Sequence, residues 1–225
     1  MNIFITGTNT DIGKTYITTQ LFNLLQNAGK SVVIFKPFQT EEIGLGCYPD
    51  LEVYKNVCGL GYEETSLYTF RDPVSPHLAF KLEPNQRFSR DSIVTKLAYL
   101  EQRYDYILIE GAGGIAVPIY ENNDYCYMTS DLIRDTADFI VSVVPSKLGA
   151  ISDVIVHQSY LEQCSLPTNV IIMNHFSNTA IEQDNKHTLE KLLSKAVFTC
   201  ESHKQNLESS KQLLAILEGA INDEQ

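Results

Sequence analysis

Five runs of apolar, β-branched residues recur along the chain without the polar alternation of a half-exposed strand: NIFIT (2–6), SVVIFK (31–36), YDYILIE (104–110), DFIVSVV (138–144) and NVIIM (169–173). Such a strand stays out of water on both sides only if both faces of its sheet are covered. Between the runs lie stretches with helical spacing. Residues 14–27 set Ile17, Leu21, Leu24 and Leu25 on one face, with Gly29 as the stop, and 89–102, 149–163 and 182–195 read likewise. Strand then helix, repeated, predicts an α/β fold: a largely parallel sheet with helices on both faces. No repeat, low-complexity stretch or linker divides the sequence, so residues 1–225 are expected to form a single domain, frayed from about 217. A helix near 50–58 and a loop at DPVSPH (72–77) are expected in the Gly-, Pro- and Tyr-containing stretch 44–84.

The first strand runs into GTNTDIGKT (7–15) and then a helix. In that context Gly-Lys-Thr is a phosphate motif: backbone N–H groups at the helix start converge on phosphate oxygens, and the helix dipole favours negative charge there. Gly13 permits close approach, Lys14 suits the outer phosphates, and the Thr15 hydroxyl suits Mg²⁺. The spacer is unusual, with five residues between Gly7 and Gly13 where the common pattern has four. A P-loop NTPase-like fold follows, with a helix-capping turn as the bland alternative.

Charge narrows the partners. A net charge of −11 argues against nucleic acid, whose backbone must be met by Lys and Arg. Five cysteines without a C-x-x-C pair fit reduced thiols. The amino-terminal MNIFIT has no basic lead or long apolar stretch, so no signal or membrane span is expected and the cytoplasm is the expected compartment.

A phosphate loop calls for a metal-holding carboxylate at a strand end, and YDYILIEGAGG supplies Glu110 followed by glycines that admit a ligand. Taken alone, Glu110 reads equally as a solvated acid, and Lys36 as an exposed strand-end lysine. In order along residues 2 to about 175 stand GTNTDIGKT, KPFQT (36–40), YPDLEVY (48–54), YTFRDPVSPH (68–77), EGAGGIAVP (110–118) and PSKLGAIS (145–152). This ordered set resembles the dethiobiotin synthetase family, whose phosphate loop carries the longer spacer.

The resemblance implies closure of a cyclic urea on 7,8-diaminononanoate from CO₂ and MgATP, by way of a carbamate and its phosphoric mixed anhydride. It makes Lys36 and Lys14 catalytic, with Lys36 set by a Lys36-Pro37 turn. Asp11, Ile12, Gly13, Lys14, Thr15, Tyr16, Asp50, Glu110, Gly111, Ala112, Gly113 and Asn174 would bind nucleotide, with Asn174 at the base. Thr15, Asp50 and Glu110 would hold Mg²⁺, although YPDLEVY by itself reads as a helix capped by Asp50. Thr10, Asp11, Lys36 and Thr40 would meet the diamine or its carbamate. Lys147, Leu148 and Gly149 would act across a homodimer interface.

Three places depart from the family pattern. Glu41 follows KPFQT where glycine is common, Ser152 replaces a frequent Asn, and 195–204 (KAVFTCESHK) lacks the Gly and Pro of a base-closing loop. The rival reading is a regulatory ATPase of the MinD/ParA kind. Those proteins usually carry an early second lysine in the loop, where this chain has Asn9, and this chain shows no basic amphipathic tail.

Overall fold

The computed structural model describes residues 1–167, 169–201 and 210–222. In chain order it contains β1 (Asn2–Gly7), α1 (Lys14–Asn27), β2 (Val32–Gln39), α2 (Pro49–Cys58), α3 (Tyr62–Thr65), β3 (Ser66–Thr69), α4 (Pro76–Leu82), α5 (Arg90–Glu101) and β4 (Tyr106–Glu110). There follow β5 (Pro118–Glu121), β6 (Cys126–Met128), α6 (Thr129–Thr136), β7 (Phe139–Val144), α7 (Ala150–Gln163), β8 (Asn169–Phe176), α8 (Ala180–Leu193), β9 (Val197–Glu201) and α9 (Ser210–Asn222).

The five apolar runs become β1, β2, β4, β7 and β8. They join β3 and β9 in one seven-stranded parallel sheet of order β3-β2-β4-β1-β7-β8-β9. Every residue of β1, β2, β4 and β7 is buried, as covering on both faces requires. Helix α1 packs on β1, β2 and β4 and touches α9 on one side; α5 and α6 pack on β4 and β1 and on each other on the opposite side. From β1 the chain moves outward past β4 to β2, then later crosses to β7 on the other side. That reversal of direction opens a crevice at the carboxyl ends of β1 and β4, where ligands of open α/β sheets bind.

Differences from expectation are local. Lys36-Pro37 is no turn: both residues lie inside β2, which pairs with β3 at Lys36, Phe38 and Gln39. Pairing with β4 ends at Phe35, so Pro37 stands beyond the last rung on that side. Asp50 does not cap α2. Tyr48 is the N-cap, Pro49 occupies the first helical position, and Asp50 points from the first turn. DPVSPH is loop only as far as Ser75, since Pro76 starts α4. Helix α9 extends to Asn222, and Leu213 and Leu217 on it are fully buried, each worth about 1.5–3 kcal/mol. The base-closing segment divides in two. Residues 197–201 are β9, an inner-layer strand, and 202–204 lie outside the described residues.

Candidate active site

The loop between β1 and α1 owes its shape to its two glycines. At Gly13 the backbone is left-handed (φ 87°), and a Cβ there would overlap the Asn174 side-chain nitrogen. At Gly7 a Cβ would meet Ile12 Cγ2 at 2.8 Å and the Val143 carbonyl oxygen at 3.0 Å. Both ends of the five-residue spacer are thus sterically dictated, so the spacing is a feature of this loop. Helix α1 starts at Lys14 with no side-chain cap and no acidic residue in its first turn. Its leading N–H groups and dipole therefore favour an anion at the crevice.

Lys36 comes from the middle of β2, the strand next to the sheet edge, and is 5% exposed; Glu110, which ends β4, is 1% exposed. The solvated readings of both residues are thereby overturned. Lys36 Nζ donates to Glu110 Oε1 at 2.7 Å and pairs closely with Asp50. Burial alone would depress the Lys36 ammonium, but Glu110 and Asp50 outweigh it and hold the group above the ordinary lysine range. Burial likewise pushes Asp50 upward, and Lys36 reverses that, leaving its carboxyl below the usual range. Lys14 is the contrasting case. Its Nζ donates to the Asn9 carbonyl at 2.9 Å, and burial, with Lys36 nearby, draws its pKa down despite Glu110.

Thr15 Oγ1 lies 2.8 Å from Asp50 Oδ1 and 3.0 Å from Glu110 Oε1, so a hydroxyl and two carboxylates converge with a cation already among them. The far oxygen of Glu110, Oε2, takes hydrogen bonds from Thr18 Oγ1 at 3.0 Å and from Tyr54 Oη. Desolvation, with Glu110 and Asp50 close by, holds the Tyr54 hydroxyl well above its ordinary pKa, so it stays a donor. The sequence reading missed both residues. Each stands one helical turn after a residue it did single out, Thr18 after Lys14 and Tyr54 after Asp50, and that spacing was the available signal.

A cavity of ≈ 370 Å³ gathers Thr10, Asp11, Gly13, Lys14, Thr15, Lys36, Thr40, Asp50, Glu110 and Gly111 to Gly113. Phe38, Gln39, Glu41 and Pro49 complete its wall, none of them anticipated as ligand contacts. Glu41 holds a left-handed backbone (φ 72°), the conformation for which glycine is suited. Six expected residues do not line this cavity. Ile12 packs against the core, and Tyr16 also lies on α1 outside the wall. Asn174 is buried and braces the loop, donating from Nδ2 to the Ile12 carbonyl at 2.9 Å. Lys147, Leu148 and Gly149 sit on the loop before α7, where Leu148 is 91% exposed. That loop is held from below: Asn185 Nδ2 donates to the carbonyls of Ser146 and Lys147, and Ser146 Oγ donates to Glu182.

Comparison with known proteins places the chain among relatives. Residues 1–210 match a family model described as an AAA domain. The chain is 65% identical over 199 residues to the ATP-dependent dethiobiotin synthetase BioD of Staphylococcus epidermidis, covering 88% of this chain and 89% of that one. To the protein of the same name from Clostridium botulinum it is 36% identical over 215 residues, 92% of each chain. Among solved structures it is similar to the MinD cell division protein of Aquifex aeolicus, at 17% identity and a TM-score of 0.54, covering 91% of this chain and 83% of that one. At such identity the likeness to MinD is one of fold alone. The identity to the Staphylococcus protein runs across nearly the whole of both chains, and this chain belongs to the ATP-dependent dethiobiotin synthetase family.

Proposed function

We propose that this cyclo-ligase closes the urea ring of dethiobiotin on 7,8-diaminononanoate in the cavity between the phosphate loop, β2 and β4. The carbamate formed from one amine and CO₂ would take the γ-phosphoryl group of ATP, and the second amine would displace phosphate. What carries the reading is one observation: two buried lysines, two carboxylates and an uncapped helix start share one wall of one cavity. An anionic carbamate and an anionic triphosphate repel, so cations and N–H donors must surround the group in transfer. Lys36 would serve the carbamate and Lys14 the phosphates, with the loop from Asp11 to Thr15 wrapping them.

Thr15, Asp50 and Glu110 are the residues that would hold Mg²⁺. The fit rests on their chemistry, three hard oxygen ligands grouped around a positive charge, with room for phosphate oxygens and water to complete the shell. When bound, Mg²⁺ would draw charge off the phosphate oxygens. Among the described residues no cluster of three or more His, Cys, Asp or Glu offers a rival metal site.

Asn174 Nδ2 gives one N–H to the Ile12 carbonyl, and its second N–H and its amide oxygen would meet the acceptor and donor of an adenine edge. Thr10 joins the cavity to a second one of ≈ 460 Å³, whose lining of Ile115, Val117 and Val156 suits the aliphatic arm of the diamine. Thr40 and Asp11 would flank the amines. In a homodimer the braced, exposed Lys147-Leu148-Gly149 tip would reach the partner's cavity. Five free thiols suit a cytoplasmic enzyme, and no helix among the described residues is long and apolar enough to cross a membrane.

The deciding assay follows ADP and phosphate release from MgATP and bicarbonate with and without the diamine. Diamine-dependent release, abolished by Lys36→Ala with nucleotide binding retained, is the expected result. Equal rates with and without diamine would favour a regulatory ATPase instead.

A further inference from the structure

We infer that Tyr54 is a positioning residue that fixes the rotamer of Glu110, so that helix α2 sets both carboxylates of the divalent-cation site. The inference rests on the metal reading above and deepens it.

Glu110 uses its two oxygens differently. Oε1 faces Lys36 Nζ and the Thr15 hydroxyl, toward the cavity, while Oε2 faces the fully buried Tyr54 and Thr18. Thr18 is a divided donor. Its single hydroxyl proton is offered both to the Lys14 carbonyl at 2.8 Å and to Glu110 Oε2 at 3.0 Å, and the nearer carbonyl belongs to its own helix. Tyr54 therefore supplies the undivided hydrogen bond to Oε2. Packing does not require that hydroxyl. The ring alone would fill the site between α1 and the sheet, and a hydroxyl without a partner would be costly at zero exposure.

Helical geometry links the two carboxylates. Asp50 and Tyr54 are four residues apart on α2, hence on one face, and α2 packs against α1, which carries Thr15 and Thr18. One rigid helix thus delivers Asp50 directly and orients Glu110 through Tyr54. With Oε2 held, Glu110 presents Oε1 alone to a cation, and the separation of the two carboxylates is fixed before any ligand arrives. Partners behind metal ligands commonly contribute 10–100-fold to metal affinity.

The test is Tyr54→Phe in the full chain, titrated with Mn²⁺ under electron paramagnetic resonance at saturating ADP. Free Mn²⁺ needed for half-saturation is expected to rise roughly 10-fold or more, with ADP affinity in EDTA unchanged. At saturating Mg²⁺ the kcat of ring closure should recover most of its loss. Mn²⁺ affinity within twofold of the unsubstituted chain would overturn the inference and leave Tyr54 as core filling. If Tyr54→Phe does not fold, 4-fluorophenylalanine at position 54 fills the space of the hydroxyl without its proton; an unshifted Mn²⁺ affinity there overturns the inference equally. An unsubstituted chain that takes up no Mn²⁺ with ADP overturns the metal reading itself, whereas uptake that ignores position 54 overturns only the role of Tyr54.

Discussion

Lys36 and Lys14 are both buried lysines in one cavity, yet their environments predict very unequal responses to losing the charge. Lys36→Met keeps the stem and removes the ammonium that Asp50 and Glu110 share. Both carboxylates lie within hydrogen-bonding distance of the Thr15 hydroxyl, at 2.8 and 3.0 Å, so the facing oxygens are at most about 6 Å apart. Two unit charges at that separation repel by about 3 kcal/mol at an effective dielectric of 20. Stripping one partner from a buried pair costs about 3–5 kcal/mol, which brackets that figure. For a chain of this length each kcal/mol moves Tm by about 2–4 °C, so Lys36→Met should melt roughly 6–20 °C lower at pH 7.

Lys14 has no such partner within ion-pair distance among the described residues, and burial already disfavours its charge. Lys14→Met should therefore change stability by no more than about 1 kcal/mol in either direction. The pH dependence supplies the sign. Without Lys36, burial pushes the Asp50 carboxyl upward, so the Lys36→Met penalty should shrink as pH falls and Asp50 takes up a proton. Melting followed by circular dichroism at pH 7 and pH 4.5 measures all three quantities. If Lys14→Met proves more damaging than Lys36→Met, or if the Lys36→Met deficit ignores pH, the electrostatic account of the cavity is wrong.

Two further predictions concern groups outside the reacting centre. His157 is buried against Ser142, and burial lowers its pKa to about 4 from an ordinary 6.5, so the unfolded chain takes up its proton first as pH falls. Stability should fall between pH 6.5 and about 4 by up to about 3 kcal/mol and then level off as regards this group. Urea unfolding at pH 7 and 5 should show about 2 kcal/mol of that loss, His157→Gln should flatten it, and an unchanged slope in the variant would refute the assignment. Glu41→Gly relieves a left-handed backbone at the cavity mouth, a strain of about 1–2 kcal/mol, against a glycine entropy cost of about 0.5–1 kcal/mol. A net gain of about 0.5–1 kcal/mol in the unfolding free energy, seen as a higher urea midpoint, is expected; a loss would mean that the Glu41 side chain makes a stabilising contact of its own.

What the sequence discloses here depends on how local the cause is. The strands of the sheet centre are readable because covering on both faces leaves an unbroken apolar run, whereas β3, β5 and β6 have four, four and three residues, too few for any period to register. Helix α9 is a different miss. Leu213 and Leu217 repeat at one turn and are buried, a helical signal that proximity to the chain end obscured. At the site, Lys14 stands in a phosphate motif and Lys36 and Glu110 emerge from the ordered set of blocks, whereas the spacing of Tyr54 from Asp50 gives only a shared helix face and not its bond to Glu110, 56 positions away. Pro37 misled because proline usually marks a turn; only the ladder shows that β4 has stopped pairing at Phe35, which lets a proline remain in a strand. Of the six non-glycine residues with positive φ among the described residues, Ser165, Asn178 and Ser194 lie at the ends of α7 and α8, and the other three lie at or near the cavity. Asp11 and Glu41 hold positive φ on the cavity wall, and His175 does so beside the asparagine that braces the phosphate loop. Such conformations persist when surrounding structure imposes them. At Asp11 and Glu41 the imposing structure is the loop after β1 and the segment after β2, the two stretches of backbone that wall the cavity.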